Sequence, residues 1–215
     1  MRSPALERRH ASARGAAPGA QEHGASLVEV LVSTVFVSIL TAISYSFARA
    51  TLVTTRVQAV KSDAQETTVM ALDVMARELR MAGFSAAGTW LQPLRAAGSD
   101  RVEIAMDLTG DGDTDDSNER IAYSYDAAAR QLRRATGGAS PQPFIGNVAP
   151  NGFLLSYFDA AGVEIAAGSV GMTPEQLLRV HRVDVALQVQ HPNPDPNATS
   201  PLGSAVFTSV CLRNQ

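Results

Sequence analysis

Oxygen-bearing side chains recur at every second position from Asp107 to Asp115: Asp107, Thr109, Asp111, Asp113 and Asp115, with Gly112 among them. Counted as a loop that starts at Asp107, they hold positions one, three, five, seven and nine, with glycine at six. That is the first half of an EF-hand-type loop, in which oxygen ligands hold Ca2+ and the glycine permits a sharp turn. The second half departs. Position twelve, where a bidentate Glu is expected, is Asn118, and Glu119 stands one residue late. The flanks alternate like strands and do not read as helices. Two readings stay open. Ca2+ accepts six to eight oxygens in flexible geometry, so Asp107, Asp111, Asp113 and Asp115 would be its side-chain ligands, with Thr109 and Glu119 as further donors. Alternatively the segment is a solvated hairpin tip, which Asp, Asn and Gly favour by themselves. Crowding of Asp107, Asp111, Asp113, Asp115, Asp116 and Glu119 argues for a neutralising ion, since like charges at close range disfavour one another.

A second carboxylate stands out by its surroundings. From Ala25 to Phe47, Glu29 is the only charged residue. As a helix this run is long enough to cross the ~30 Å hydrocarbon core of a bilayer. A charge there costs ~2.5–3.5 kcal/mol at the centre of a spanning helix and less near its end. Its retention points to a partner that the chain does not supply itself. A cleaved secretory signal would have a shorter apolar region, and a plain anchor would not need Glu29.

The stretch Gly24-Ala25-Ser26-Leu27-Val28-Glu29-Val30 resembles the processing site of type IV prepilins and type II secretion pseudopilins, which read Gly, then Phe or Met, then Thr-Leu-Ile-Glu. The resemblance implies cleavage after Gly24 and N-methylation of Ala25 by a prepilin peptidase/N-methyltransferase. It also implies burial of the helix among other pilins or minor pilins, where Glu29 neutralises a neighbour's α-amino group. Ala25 is the departure, since the first mature residue is usually Phe or Met. Residues 1–24 would be the leader, 25–48 a membrane or filament-core helix, 49–83 its amphipathic continuation and 84–215 a β-rich head. Arg2, Arg8, Arg9 and Arg14 precede the apolar run, so the positive-inside tendency keeps the N-terminus cytoplasmic and exports the head. The resemblance places the precursor in a bacterial inner membrane and the product in a pilus at the cell surface.

These residues require elements to carry them. Neither Gly nor Pro occurs between Gly24 and Gly83, so nothing breaks a helix that would extend ~87 Å. Past Arg49 the pattern turns amphipathic, with Val53, Val57, Val60, Ala64, Thr67, Ala71 and Val74 on one face and Met70, Met75 and Leu79 widening it. Gly83 supplies the stop after Arg77 and Arg80. Residues 101–106, 121–126, 131–134, 183–190 and 205–212 read as strands, with a hairpin turn at 127–130. A second hairpin is expected from 153–158 through Asp159–Gly162 into 163–165. Thr173-Pro174-Glu175-Gln176 starts a short helix. His191 to Pro201 contains four prolines and so reads as a loop. The fold class is therefore α+β, type IV pilin-like: a long N-terminal helix packed on an antiparallel β-sheet.

The remaining composition excludes more than it assigns. In 215 residues with a net charge of −3, no polyanion-binding surface is indicated. Arg130, Arg133 and Arg134 are a small basic cluster, read as a solvated strand edge before a nucleic-acid patch. The single Cys211 permits no internal disulfide and reads as a small buried hydrophobe. His181 and His191 lack the Cys partners of a zinc set. No phosphate-binding glycine loop or nucleophile elbow occurs, so enzymatic activity is not expected and the ATPase that drives assembly acts indirectly. Leu79-Arg80-Met81-Ala82-Gly83-Phe84 and the ending Val210-Cys211-Leu212-Arg213-Asn214 look like those of PilW-like minor pilins. The resemblance implies a minor pilin active in pilus biogenesis. A type II secretion pseudopilin of the J-like class, or a membrane-tethered periplasmic calcium-binding module, are the alternatives.

Overall fold

The computed structural model describes Gly24, residues 26–168 and residues 171–213. Helix α1 runs Leu27–Met81, without the interruption that a Gly or Pro would bring. Chain contacts divide into two compact units, one ending at Ala48 and the other beginning at Arg49.

In the first unit the helix is apolar and exposed on every side, from Leu27 (82% exposed) through Leu31, Phe36 and Leu40 to Ile43. Several of its hydroxyls are turned back on the helix. Thr34, Ser38 and Thr41 donate to the carbonyls of Val30, Thr34 and Val37 at 2.7–2.8 Å. Such internal bonds leave little polar demand on the outside, which suits a surface that water does not solvate.

In the second unit the helix buries Ala64, Thr68, Ala71, Leu72, Met75, Ala76 and Leu79. Ala64, Ala71, Met75 and Leu79 lie on the expected face, whereas Thr67, Met70 and Val74 are exposed and Thr68, Leu72 and Ala76 are buried instead. Alternating steps of four and three average 3.5 residues, and an α-helix drifts ~20° per heptad from that repeat. A stripe projected from Val53 therefore loses its Thr67 and Val74 edge from the core while Ala71 stays in it. Gly83 takes φ +75° just past the helix, as a C′ stop requires. Its N–H donates to Ala105 O at 2.8 Å, so the exit is stitched to the sheet.

The strands form two antiparallel sheets where the sequence suggested one. The first contains β1 (Leu94–Ala97), β2 (Arg101–Ala105), β3 (Arg120–Asp126), β4 (Gln131–Thr136) and β5 (Gln142–Ile145), in that spatial order. The second contains β6 (Val148–Phe158), β7 (Arg182–His191) and β8 (Leu202–Cys211). Helix α2 (Pro174–Leu178) has the expected start: Thr173 and Gln176 form a reciprocal capping box with Pro at the first turn. The expected hairpin from β6 into residues 163–165 is present but short: Asp159 N–H donates to Val163 O at 3.0 Å, Ile165 N–H to Tyr157 O at 2.8 Å, and Glu164 bridges Phe158, while the long partner of β6 is β7. His191 ends β7 and is not part of the following loop. Cys211 is exposed, not buried, because Val210 takes the inward position at the end of β8.

One core joins the second part of α1 to both sheets through Met75, Leu79, Ile104, Tyr123, Leu132, Phe153, Tyr157 and Leu187. Two phenols anchor it. Tyr157 donates to Gly98 O at 2.9 Å, tying β6 to the β1–β2 turn. Tyr123 donates to Glu78 of α1. Arg134, paired with Tyr123 across β3 and β4, holds the same carboxylate at 2.6 and 3.2 Å. The basic cluster is thus spoken for. Arg134 binds Glu78, Arg133 meets Asp126 at 3.2 Å, and Arg130 donates to Val148 O at 3.3 Å. β4 is also covered by β5, so the expected strand edge is not there.

Burial, the largest influence, raises the pKa of both phenols far above the ordinary value, aided at Tyr123 by Glu78 and at Tyr157 by the Asp100 charge. A raised folded-state pKa means that stability is fully present below the unfolded value of about 10 and is lost as pH rises beyond it. Thermal midpoints should fall between about pH 10 and 11.5, with phenolate absorbance from these two residues appearing only on unfolding. Tyrosinate absorbance from Tyr123 and Tyr157 in a head still folded by circular dichroism would contradict this.

Candidate functional site

The acidic loop lies between β2 and β3, directly beside the exit of α1. Backbone bonds of 2.8–2.9 Å join Asp107 N–H to Phe84 O and Ala86 N–H to Asp107 O. Ser85 adds a hydroxyl bond to Asp107 Oδ2 at 3.0 Å, while Asp107 Oδ1 accepts Gly110 N–H at 2.6 Å. Asp107 is 1% exposed and both of its oxygens are engaged in this seam. Its work is to root the loop.

Beyond it the chain turns through Gly110 (φ +82°) and Gly112 (φ +88°). A side chain at Gly110 would be strained by that φ and would lie against Ala86. Asp111 Oδ1 accepts Asp113 N–H at 3.1 Å, and Asp113 Oδ1 accepts Asp115 N–H at 2.9 Å. These two side-chain turns bend the loop back toward Glu119. Thr114 is buried, and Arg95 of β1 donates to its hydroxyl at 3.0 Å. Asp115 points outward, 82% exposed, 3.5 Å from Arg120.

Glu119 is 0% exposed. Its Oε1 accepts Leu108 N–H at 2.8 Å, Thr109 N–H at 3.0 Å and the Thr109 hydroxyl at 3.0 Å. Its Oε2 is buried with no hydrogen-bond partner. Carboxylate oxygens of Asp111, Asp113 and Glu119 lie within 4.8 Å of one another, close enough to share an ion. Of the residues the sequence offered as ligands, the structure brings these three together. It does not bring Asp107 or Asp115 into that group, the first being used to root the loop and the second facing Arg120, while Thr109 stays beside it, its hydroxyl donating to Glu119 Oε1 at 3.0 Å.

Glu119 was the weakest candidate by loop counting, being one residue out of register. A different signal finds it. Ile121 and Tyr123 are buried on β3, and stepping back by two from them reaches Glu119. Strand periodicity therefore turns this carboxylate inward.

At the other end of the chain, Glu29 lies in the first turn of α1, where a negative charge suits the helix dipole. Glu29 is exposed, and among the described residues it makes no ion pair. Gly24 is exposed, with nothing within 4 Å of where a Cβ would stand. Ala25 and the expected leader before Gly24 lie outside the described residues.

The architecture defines a class: an α+β protein with a long N-terminal helix, apolar and exposed at first, then packed on antiparallel sheet. Among solved structures it is similar to a type IV-like pilin from Thermus thermophilus, at 16% identity and a TM-score of 0.49, over 69% of this chain and 95% of that one. Neither a protein-family profile nor a curated protein matches the sequence.

Proposed function

We propose that this chain is a minor pilin, a structural and assembly subunit of a type IV pilus and not an enzyme. One observation carries the reading. The first unit of α1 is a helical surface of exposed apolar residues whose single charge, Glu29, has no partner within the described chain. Such a surface needs a non-aqueous environment, and the acid needs a cation. A bilayer provides the first and not the second. A bundle of like helices provides both if a neighbouring subunit's N-terminal amine lies beside Glu29.

The proposal implies a sequence of states. The precursor sits in the inner membrane with Arg2, Arg8, Arg9 and Arg14 on the cytoplasmic side and the head beyond it. A prepilin peptidase/N-methyltransferase cuts after Gly24 and methylates Ala25. Assembly, powered by an ATPase that never touches the exported head, moves the helix from lipid to other pilin helices. Mass spectrometry of the chain in sheared surface appendages tests this, with an N-methylated Ala25 terminus as the expected result.

A further inference from the structure

We propose that the loop from Asp107 to Glu119 binds one Ca2+ through Asp111, Asp113 and the buried Glu119. The filament reading neither requires this nor follows from it. Acidic residues alone would not support such a site, since exposed carboxylates are ordinarily satisfied by water. Asp111 and Asp113 are exposed and would raise no question by themselves.

Glu119 changes the case. Its Oε1 is saturated by three donors, yet Oε2 is fully enclosed and accepts nothing. A buried oxygen that carries charge and lacks a partner is strongly disfavoured. No arginine or lysine answers it. Arg120 lies 3.5 Å from Glu103 and from Asp115 and forms no ion pair with Glu119, and Arg95 reaches Thr114. The nearby groups of matching reach are Asp111 and Asp113, which are anionic and would repel Glu119 across at most 4.8 Å. Three converging carboxylates, one of them buried, are an arrangement that a divalent ion resolves. It would neutralise the repulsion and partner the enclosed carboxylate.

The donor set selects the ion. All three groups offer oxygen, and neither His nor Cys belongs to the cluster. Zinc and other metals that favour nitrogen or sulfur are poorly served. Mg2+ demands near-ideal octahedral geometry, whereas Ca2+ accepts six to eight oxygens in irregular arrangements completed by carbonyls and water. A loop bent by Gly110, Gly112 and Asn118, all at positive φ, offers irregular geometry. The consequence is local but well placed. The loop is rooted through Asp107 on Ser85 and Phe84, so an ion drawing Asp111 and Asp113 onto Glu119 would fasten the β2–β3 connection against the exit of α1.

Equilibrium dialysis of the full-length chain in detergent against radioactive Ca2+, with Mg2+ as competitor, tests this. One ion per chain is expected, with a dissociation constant of about 10⁻⁴–10⁻³ M as in extracellular modules. Asp111→Asn with Asp113→Asn, both at exposed positions and so compatible with folding, should weaken binding at least tenfold. Glu119→Gln should also abolish it, with circular dichroism confirming the fold. Ca2+ should raise the thermal midpoint of the wild type by several degrees and leave the double variant unmoved. No binding by the wild type at 5 mM Ca2+, undiminished binding by the double variant, or equal displacement by equimolar Mg2+ would each overturn the proposal.

Discussion

Replacing Glu29 by Ala should cut incorporation into filaments at least tenfold while leaving the amount of chain in the membrane unchanged or slightly raised. The two halves of that result have different causes. In lipid the carboxylate is a cost of up to ~3 kcal/mol, so removing it cannot harm insertion. In the proposed helix bundle it faces a neighbour's amine. Deleting one partner of a buried pair leaves the other charge uncompensated, which typically costs ~3–5 kcal/mol. At 1.4 kcal/mol per factor of ten, even the lower figure exceeds a hundredfold in equilibrium terms, so tenfold is a conservative expectation. Glu29→Gln should behave like Ala, because it keeps the shape and loses the charge. Quantitative immunoblots of sheared appendages and of membranes make the comparison. Equal incorporation of wild type and Glu29→Ala would remove the ion pair from the account.

The second large effect concerns stability. Glu78 accepts bonds from Tyr123 and twice from Arg134, and its side chain is only 19% exposed. Glu78→Ala would strand the Tyr123 hydroxyl in a residue 1% exposed and leave the Arg134 guanidinium, 28% exposed, without its acceptor. The loss should be about 3 kcal/mol, toward the lower end for breaking a buried pair because this one is partly solvated. For a head of this size that corresponds to a fall of roughly 6–12 °C in the thermal midpoint. Arg134→Leu combined with Glu78→Leu should recover part of the loss, since neither charge is then left alone. A midpoint for Glu78→Ala within 2 °C of wild type would show that water replaces the bonds and that the node does not hold the helix to the sheet.

The parts of this fold that could be read from the chain were those with one dominant local signal. Helix α1 followed from the absence of Gly and Pro, its end from Gly83, and α2 from the Thr173–Gln176 box. β3, β4, β7 and β8 followed from alternation. What escaped depended on tertiary context. β1 and β5 have four residues each, and β5 contains Pro143, a residue tolerated there because the strand lies at the edge. The separation into two sheets rests on β6 pairing with β7 and β7 with β8, long-range pairings that no local pattern announces. The buried stripe of α1 was misplaced by a fraction of a turn per heptad, enough to exchange Thr67 for Thr68.

The candidate sites divide in the same way. The acidic loop was visible from spacing, but spacing favoured Asp107 and Asp115, which the structure assigns to rooting the loop and to meeting Arg120. Glu119 is important because of burial, and burial belongs to the fold. Glu78 gave no warning, and Arg134 stood out only as one of three clustered arginines. They are ordinary charged residues until β3 and β4 bring Tyr123 and Arg134 side by side under α1. Glu29 is the opposite case, conspicuous in the sequence and unpartnered among the described residues, because the partner proposed for it belongs to another subunit.

In the proposed pathway the apolar part of α1 leaves the bilayer for a filament. The N-terminal residue of this chain, read by mass spectrometry in purified surface appendages and in the membranes they came from, tests that most directly. The expected result is N-methylated Ala25 in the appendages, with residues 1–24 found only on the membrane precursor. Appendages that lack the chain, together with a membrane form that keeps residues 1–24 throughout, would contradict it.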